Sequence, residues 1–132
     1  PAAVGWDWLG INLDDGGALM AFRIRDAAGS TLYAHASLRD VAGRHVRFGP
    51  TAVSFTPLRH WISPRNGARY PVTLEIRLGE HSVRTAPLLD DQEIATRRPL
   101  PISYWEGLVR LEGSLHGRGY LEMTGYAERM AL

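Results

Sequence analysis

Five aromatic and carboxylate side chains near the end of the chain are of types that could carry out acid/base chemistry. They lie on two segments, residues 103–110 and 119–126, in which apolar and polar residues alternate as in β-strands, with turn residues over 112–118 between them. The five are Tyr104, Glu106, Tyr120, Glu122 and Tyr126. If the two segments pair, these side chains come close together. Aromatic rings beside carboxylates are typical of an acid/base pocket, but also of the decorated wall of a barrel.

Three carboxylates are candidate acids or bases, and the identity of the interior face decides their role. Asp7 lies between Trp6 and Trp8, Glu106 follows Trp105, and Glu122 lies between Leu121 and Met123. If the Trp/Leu/Met face is interior, the carboxylates face solvent and pair with Arg23, Arg25 or Arg110, at about 1 kcal/mol or less each. If the Tyr/Glu face is interior, burial raises the carboxyl pKa and a glutamate can donate a proton. Burial energetics, at about 25 cal/mol per Å², favour the apolar face as the interior.

The spacing of apolar residues predicts that these side chains are positioned by β-strands. Apolar and polar residues alternate with a period of two, and turn residues recur about every ten positions. Besides the two final segments, we predict strands over residues 6–13, 18–25, 31–38, 45–48, 52–56, 71–78 and 81–86. Residues 57–70 and 87–101 are predicted to be irregular, and the run from Asp90 to Glu93 could start a helical turn.

This pattern predicts an all-β fold with eight to ten short antiparallel strands and little helix. A single open sheet of that size would expose its edges, so we expect closure into a barrel or a sandwich. Successive hairpins favour an antiparallel up-and-down barrel over a Greek-key sandwich. The length of the chain suits one domain over residues 1–132.

Composition excludes several classes of function. Fifteen basic residues, all arginine, balance fourteen acidic ones, so no net field attracts nucleic acid. The absence of cysteine excludes disulfides and thiolate catalysis. The five histidines are scattered without ligand spacing, so we predict no metal site. No apolar run approaches the roughly 20 residues that span a bilayer.

The segment Arg59–Arg65 is denser in polar and aromatic residues than a plain loop requires. Two interpretations stay open. The segment could be a lid or a contact surface for another domain, since loops often carry function. Alternatively, Trp61 plugs one end of the barrel.

Several motifs together resemble a known family. Gly5–Gly16 (GWDWLGINLDDG) and Leu19–Arg25 (LMAFRIR) resemble the opening of the second lipocalin-like domain of the AttH proteins. These are "predicted secreted hydrolases" related to carotenoid hydratase. The similarity continues in order along the whole chain, at residues 59–64, 67–71, 88–93, 104–107 and 119–126. The resemblance implies a lipocalin-like (calycin) barrel that forms the C-terminal half of a two-domain protein.

The same resemblance has implications for activity. The family's acidic site lies on the N-terminal barrel, before the segment that matches this chain, so no catalytic residue is carried over. Relatives act on apolar, polyene- or polyketide-like molecules by hydration, isomerisation or cyclisation, without a cofactor. The resemblance also implies a periplasmic or secreted location if the parent protein follows the family. No hydrolytic constellation is visible, because no serine has a Gly-x-Ser-x-Gly setting.

We therefore expect the chain to pack on an N-terminal lipocalin-like barrel and complete a pocket for a hydrophobic terpenoid, lipid or polyketide, with no activity alone. The candidate pocket-facing or partner-facing residues are Trp6, Trp8, Trp61, Tyr104, Trp105 and Tyr120 as apolar walls, with Asp7, Glu106 and Glu122 as polar groups. One alternative is a stand-alone binder of a small hydrophobic ligand, which requires a cavity. Another is an acid/base enzyme that uses Glu106 and Glu122. An uncovered apolar surface could also drive homodimerisation.

Overall fold

Ten β-strands make up most of the structure, a computed structural model that describes residues 1–97, 99 and 101–132. The strands are β1 (Ala3–Leu13), β2 (Ala18–Asp26), β3 (Thr31–Arg39), β4 (His45–Phe48), β5 (Val53–Ile62), β6 (Arg69–Leu78), β7 (His81–Pro87), β8 (Glu93–Thr96), β9 (Ile102–Gly113) and β10 (Gly117–Met123). The helical content of the described residues is one 3-10 helix, Pro50–Ala52. Those residues contain no helix of the length and apolarity that crossing a membrane requires.

The strands form one antiparallel sheet that curls into a barrel. Its order is β4-β3-β2-β1-β10-β9-β7-β6-β5, with β8 added beside β9. The pairing of the first strand with the last, from Asp7 opposite Met123 to Leu13 opposite Gly117, joins the two runs of hairpins. In the described part of the chain the end strands β4 and β5 do not pair with each other. The predicted all-β, up-and-down lipocalin-like barrel with little helix is confirmed.

Three local predictions were wrong. Residues 57–70 are mostly strand: β5 runs on through Pro57, which a strand at the end of the sheet tolerates, and the pairing with β6 shifts register beside this proline. The run 90–93 starts no helix, because Glu93 pairs with Trp105 and begins β8. The final turn is shorter than predicted, because β9 continues to Gly113. Of the predicted irregular segment 87–101, residues 98 and 100 lie outside the described residues.

Alternate residues of the longer strands fill the interior of the barrel, whereas β4 and β8 contribute no buried residue. The largest fully buried side chains are Trp105, Tyr70, Leu9, Leu74, Ile76, Leu78, Leu111, Leu121, Met123, Val72, Val83 and Val109. Burying a side chain of this size stabilises the fold by about 1.5–3 kcal/mol, which makes this core the main source of stability. Each inward residue fixes its neighbours on the outer face, because successive side chains of a strand point to opposite sides.

Candidate functional site

The sheet divides the predicted site residues between its two faces, so they do not form one site. Those on the outer face are Trp6, Trp8, Tyr104, Glu106, Tyr120 and Glu122. Asp7 and Trp105 are fully buried, and Trp61 packs against the core. The prediction that the tryptophans of β1 share the interior face was wrong. Leu9, Ile11 and Leu13 are buried, so the alternation of the strand turns both indoles outward.

Pairing between strands aligns the outer side chains in rows across the sheet. Trp8 lies opposite Phe22 on β2 and opposite Glu122 on β10, and Glu122 in turn lies opposite Glu106 on β9. The ring of Trp8 extends over Gly10, where any β-carbon would collide with the indole. Glycine at this position therefore lets the large ring lie flat on the sheet.

An apolar cavity of about 330 Å³ opens on this outer face. Its walls are formed by Ala3, Trp6, Trp8, Phe22, Ile24 and Leu132. The indole N–H of Trp6 does not add a polar atom to these walls, since it donates to Glu122 Oε1 at 2.6 Å. Such a surface can hold an apolar molecule through contact and desolvation, with one carboxylate at its edge.

A buried charge cluster occupies the interior near the start of β1. Asp7 is completely buried, and its Oδ2 accepts hydrogen bonds from Arg23 Nε at 2.6 Å and from Arg25 Nε at 3.1 Å. The expectation that Asp7 faces solvent was wrong, although its predicted arginine partners are the ones observed. Register explains the pairing, because Asp7 lies directly opposite Arg23 on β2.

Tyr126 completes the charge cluster and does not join Glu106 and Glu122 as the hairpin suggested. It lies beyond the end of β10, and its hydroxyl donates to the two carboxylate oxygens of Asp7 at 2.9 and 3.1 Å. The Arg25 guanidinium lies 3.8 Å from the centre of its ring. Burial raises the pKa of Tyr126 well above its usual value, and the negative charge of Asp7 adds to this effect. Tyr126 therefore stays protonated as a hydrogen-bond donor.

A second polar network is centred on Glu93 and was not predicted from the sequence. The side chain of Glu93 is fully buried and accepts hydrogen bonds from Ser63 Oγ and Tyr70 Oη at 2.6 Å each, Arg65 Nε at 2.9 Å and Asn66 Nδ2 at 3.0 Å. Burial alone would raise the pKa of Glu93, but these four donors outweigh it and hold the pKa below its usual value. The signal in the sequence was a polar run at 63–66 and an acidic run at 90–93, which appeared to be two separate loops.

Other contacts join the same two segments. Arg59 donates to both carboxylate oxygens of Asp90 at 2.9 and 2.8 Å, and Arg65 also pairs with Asp91. The Trp61 ring stacks on Tyr70 with centroids 6.1 Å apart. These contacts agree with a tryptophan that closes one end of the barrel. Residues 59–62 belong to β5, so a mobile lid is not supported.

The geometry limits the chemistry available to the chain. The charges of Asp7 and Glu93 are engaged by several donors, so neither carboxylate is free to act on a ligand. Glu106 and Glu122 lie on the open outer face, which offers no enclosed, water-free pocket for proton transfer. Among the described residues no group of three or more potential metal ligands is present. The apolar outer cavity is the feature best suited to binding.

Comparisons with known proteins agree with this fold. The chain matches the AttH-like family model over residues 1–126. It is 47% identical to a Nitrosomonas europaea protein described as AttH, with a TM-score of 0.92 over 97% of this chain and 40% of that one. It also matches kievitone hydratase from Nectria haematococca, at 17% identity and a TM-score of 0.72, over 96% of this chain and 40% of the hydratase.

At this lower identity the similarity to the hydratase shows the fold alone. None of the curated proteins is a significant match. The chain spans two fifths of the length of each of these two solved structures. Because the family model covers nearly all of the sequence, this chain belongs to the AttH-like family.

Proposed function

We propose that this chain is the C-terminal lipocalin-like barrel of a two-barrel protein and forms one wall of a pocket for a hydrophobic small molecule. The observation that carries the proposal is the apolar cavity between Trp6, Trp8, Phe22 and Ile24, which opens on the outside of the barrel. A binding site of this kind needs a second surface to enclose its ligand. In the longer AttH-like relative, the three fifths of its sequence that this chain does not match could supply that surface.

The filled interior argues against a stand-alone binder that holds its ligand inside the barrel. Trp105 and Tyr70 are fully buried there together with the leucines of β6, and two ion-paired arginines occupy the region around Asp7. In a small barrel, side chains alone can fill the lumen. The outer wall is therefore the better candidate for ligand contact.

The proposed reaction of the whole protein is cofactor-free hydration, isomerisation or cyclisation of a terpenoid, lipid or polyketide. Support comes from family membership and from the similarity in fold to kievitone hydratase. This chain would supply apolar walls that exclude water and shelter a cationic intermediate beside the indole rings. The catalytic acid would come from the other barrel, so the chain alone would not turn over a substrate.

The test compares two proteins: this chain and the full product of the reading frame that contains it. Binding of a fluorescent polyene is measured for both, with the variants Trp8→Ala and Val46→Ala. Val46 is the control. It is 43% exposed, close to the 38% of Trp8, but it lies on β4 and is not part of the cavity walls. Loss of the indole contact should cost about 1.5–3 kcal/mol, which is about tenfold to 150-fold in Kd.

We expect the full product to bind at least about tenfold more tightly than the chain alone, and only Trp8→Ala to weaken that binding. Equal affinity of both proteins, or equal effects of the two substitutions, would overturn the proposal.

A further inference from the structure

Two rows of like charge cross the outer face of β9 and β10. Glu122 lies directly opposite Glu106, and Arg118 lies directly opposite Arg110. The row between them is Tyr120 opposite Leu108. Like charges at directly opposite positions destabilise a sheet. The repulsion within the acidic pair and within the basic pair must therefore be offset by opposite charges from outside these two strands.

Within the described part of the chain that compensation is only indirect, since Asp14 and Glu112 line the same surface cavity as Arg110 and Arg118. None of these four charged residues forms an ion pair with a described residue, and Glu122 accepts one hydrogen bond from the neutral Trp6 indole. The acidic and basic rows are four residues apart along β9, which is about 14 Å at the rise of a strand. That separation is too large for an ion pair within one copy.

The space between the two charged rows is filled by an apolar band. It consists of the Trp8 ring lying over Gly10, then Tyr120, Leu108 and Leu88, whose N–H donates to the Leu108 carbonyl. Trp8 is 38% exposed, Leu108 42%, Tyr120 52% and Leu88 55%. Large apolar side chains that are this exposed, side by side and flanked by charges, have the composition of the centre of a protein interface.

We propose that this face binds a second copy of the chain, with a two-fold axis that runs along the Tyr120–Leu108 row. Rotation about that axis places Glu106 of one copy over Arg110 of the other, and Glu122 over Arg118. The symmetric contacts form as well, so four ion pairs surround a centre in which Tyr120 meets Tyr120 and Leu108 meets Leu108. Every like-charged row then faces its opposite, as a self-complementary two-fold interface requires.

The charges also select this axis over the other simple one. An axis parallel to the strands would place the glutamate row on the glutamate row and the arginine row on the arginine row. Like-charge contacts of that kind cost several kcal/mol across an interface. The charge pattern therefore specifies one relative orientation of the two copies, in which each strand lies antiparallel on itself.

The size of the face indicates a weak dimer. Three strands and the segment at Leu88 span about 20 Å, and residues 6–12 of β1 span about 24 Å. Each copy would then bury roughly 500 Å², or about 1,000 Å² in total, which is at the lower end for a specific interface. We expect a Kd in the micromolar range, roughly, that increases with salt because its charged pairs lie at the rim.

The experiment exchanges the charged rows and uses sedimentation equilibrium on this chain. One variant is Glu106→Arg/Glu122→Arg, and the other is Arg110→Glu/Arg118→Glu. Each variant should be monomeric, with Kd raised at least about a hundredfold, because all four positions then carry one sign of charge. An equimolar mixture should form a heterodimer, since each copy again faces its opposite. That rescue also shows that both variants are folded.

A matched control changes net charge to the same extent elsewhere. Arg39→Glu/Arg47→Glu alters two exposed arginines on β3 and β4 and should keep the Kd of the unmodified chain within about threefold. The dimer face shares Trp8 with the proposed pocket, but the four charged positions that are exchanged here do not line that pocket, so this experiment can fail without affecting the two-barrel proposal. A chain that stays monomeric at low salt, or variants that do not associate when mixed, would overturn it and would indicate that another partner covers this face.

Discussion

Removal of the buried carboxylate at Asp7 should be one of the most damaging single substitutions in the chain. The side chains of Arg23 and Arg25 are only 5% and 4% exposed, and Asp7 is the only carboxylate that forms an ion pair with either among the described residues. Asp7→Asn keeps the shape of the side chain but leaves two buried guanidiniums without a counter-charge. Breaking a buried pair in this way costs about 3–5 kcal/mol.

This loss is large compared with the total stability of a domain, about 5–15 kcal/mol. Urea unfolding, followed by the fluorescence of the four tryptophans, measures it directly. With a slope of about 2 kcal/mol per molar urea, the unfolding midpoint should fall by about 2 M. Glu75→Gln is the control, because it breaks the exposed pair between Arg77 Nε and Glu75 Oε1 at 2.9 Å. That change should cost about 1 kcal/mol or less.

A third variant separates the cost of an unpaired charge from the value of the cluster. Replacing the whole cluster with apolar residues, as Asp7→Leu/Arg23→Met/Arg25→Met/Tyr126→Phe, should restore most of the stability that Asp7→Asn removes. An Asp7→Asn midpoint equal to that of Glu75→Gln would refute the reasoning. So would a fourfold variant that is less stable than Asp7→Asn, since the buried charges would then be net stabilising.

Three further outcomes are expected. The pKa of Glu93 in the folded state lies below its unfolded value of 4.5, so its contribution to stability should be present above pH 4.5 and be lost as the pH falls through the folded pKa. Glu93→Gln should therefore be less stable than the unmodified chain near neutral pH, and the two stabilities should converge in acid. Parallel curves of stability against pH would contradict this. Tyr70→Phe removes the 2.6 Å hydrogen bond to Glu93 and should cost about 1.5–3 kcal/mol in urea unfolding, more than Tyr33→Phe at an exposed site. Gly119→Ala places a β-carbon against the Gly10 carbonyl oxygen and should lower Tm by several degrees, roughly. The β-carbon of Gly10→Ala would meet the movable Trp8 ring, so this substitution should lower Tm by less. A larger loss for Gly10→Ala would show that β1 and β10 are not so close.

The alternation of apolar residues was sufficient to predict the barrel. Period-two patterns such as Val72, Leu74, Ile76 and Leu78, separated by turn residues, specify antiparallel strands because one face of each must be buried. The family resemblance was also readable from contiguous motifs. Both kinds of signal are local, so they survive in the linear sequence.

The orientation of β1 was not accessible in the same way. Two tryptophans that alternate with an aspartate indicate an inward Trp face, because burying indoles is worth more than burying a carboxylate. In the structure the opposite face of β1 points inward, because Leu9, Ile11 and Leu13 share the face of Asp7 and are buried in the core. Arg23 and Arg25 on the neighbouring strand form ion pairs with Asp7, which offset the cost of burying its carboxylate.

The sequence by itself therefore determined the class of fold, the approximate strands and the family, since each depends on residues that are close along the chain. Tertiary structure alone decided which carboxylates are buried, joined the runs at 63–66 and 90–93 around Glu93, and aligned the rows of charge on β9 and β10. Those features depend on register and on contacts between segments far apart in sequence. A shift of one residue in pairing would turn every one of these side chains to the opposite face.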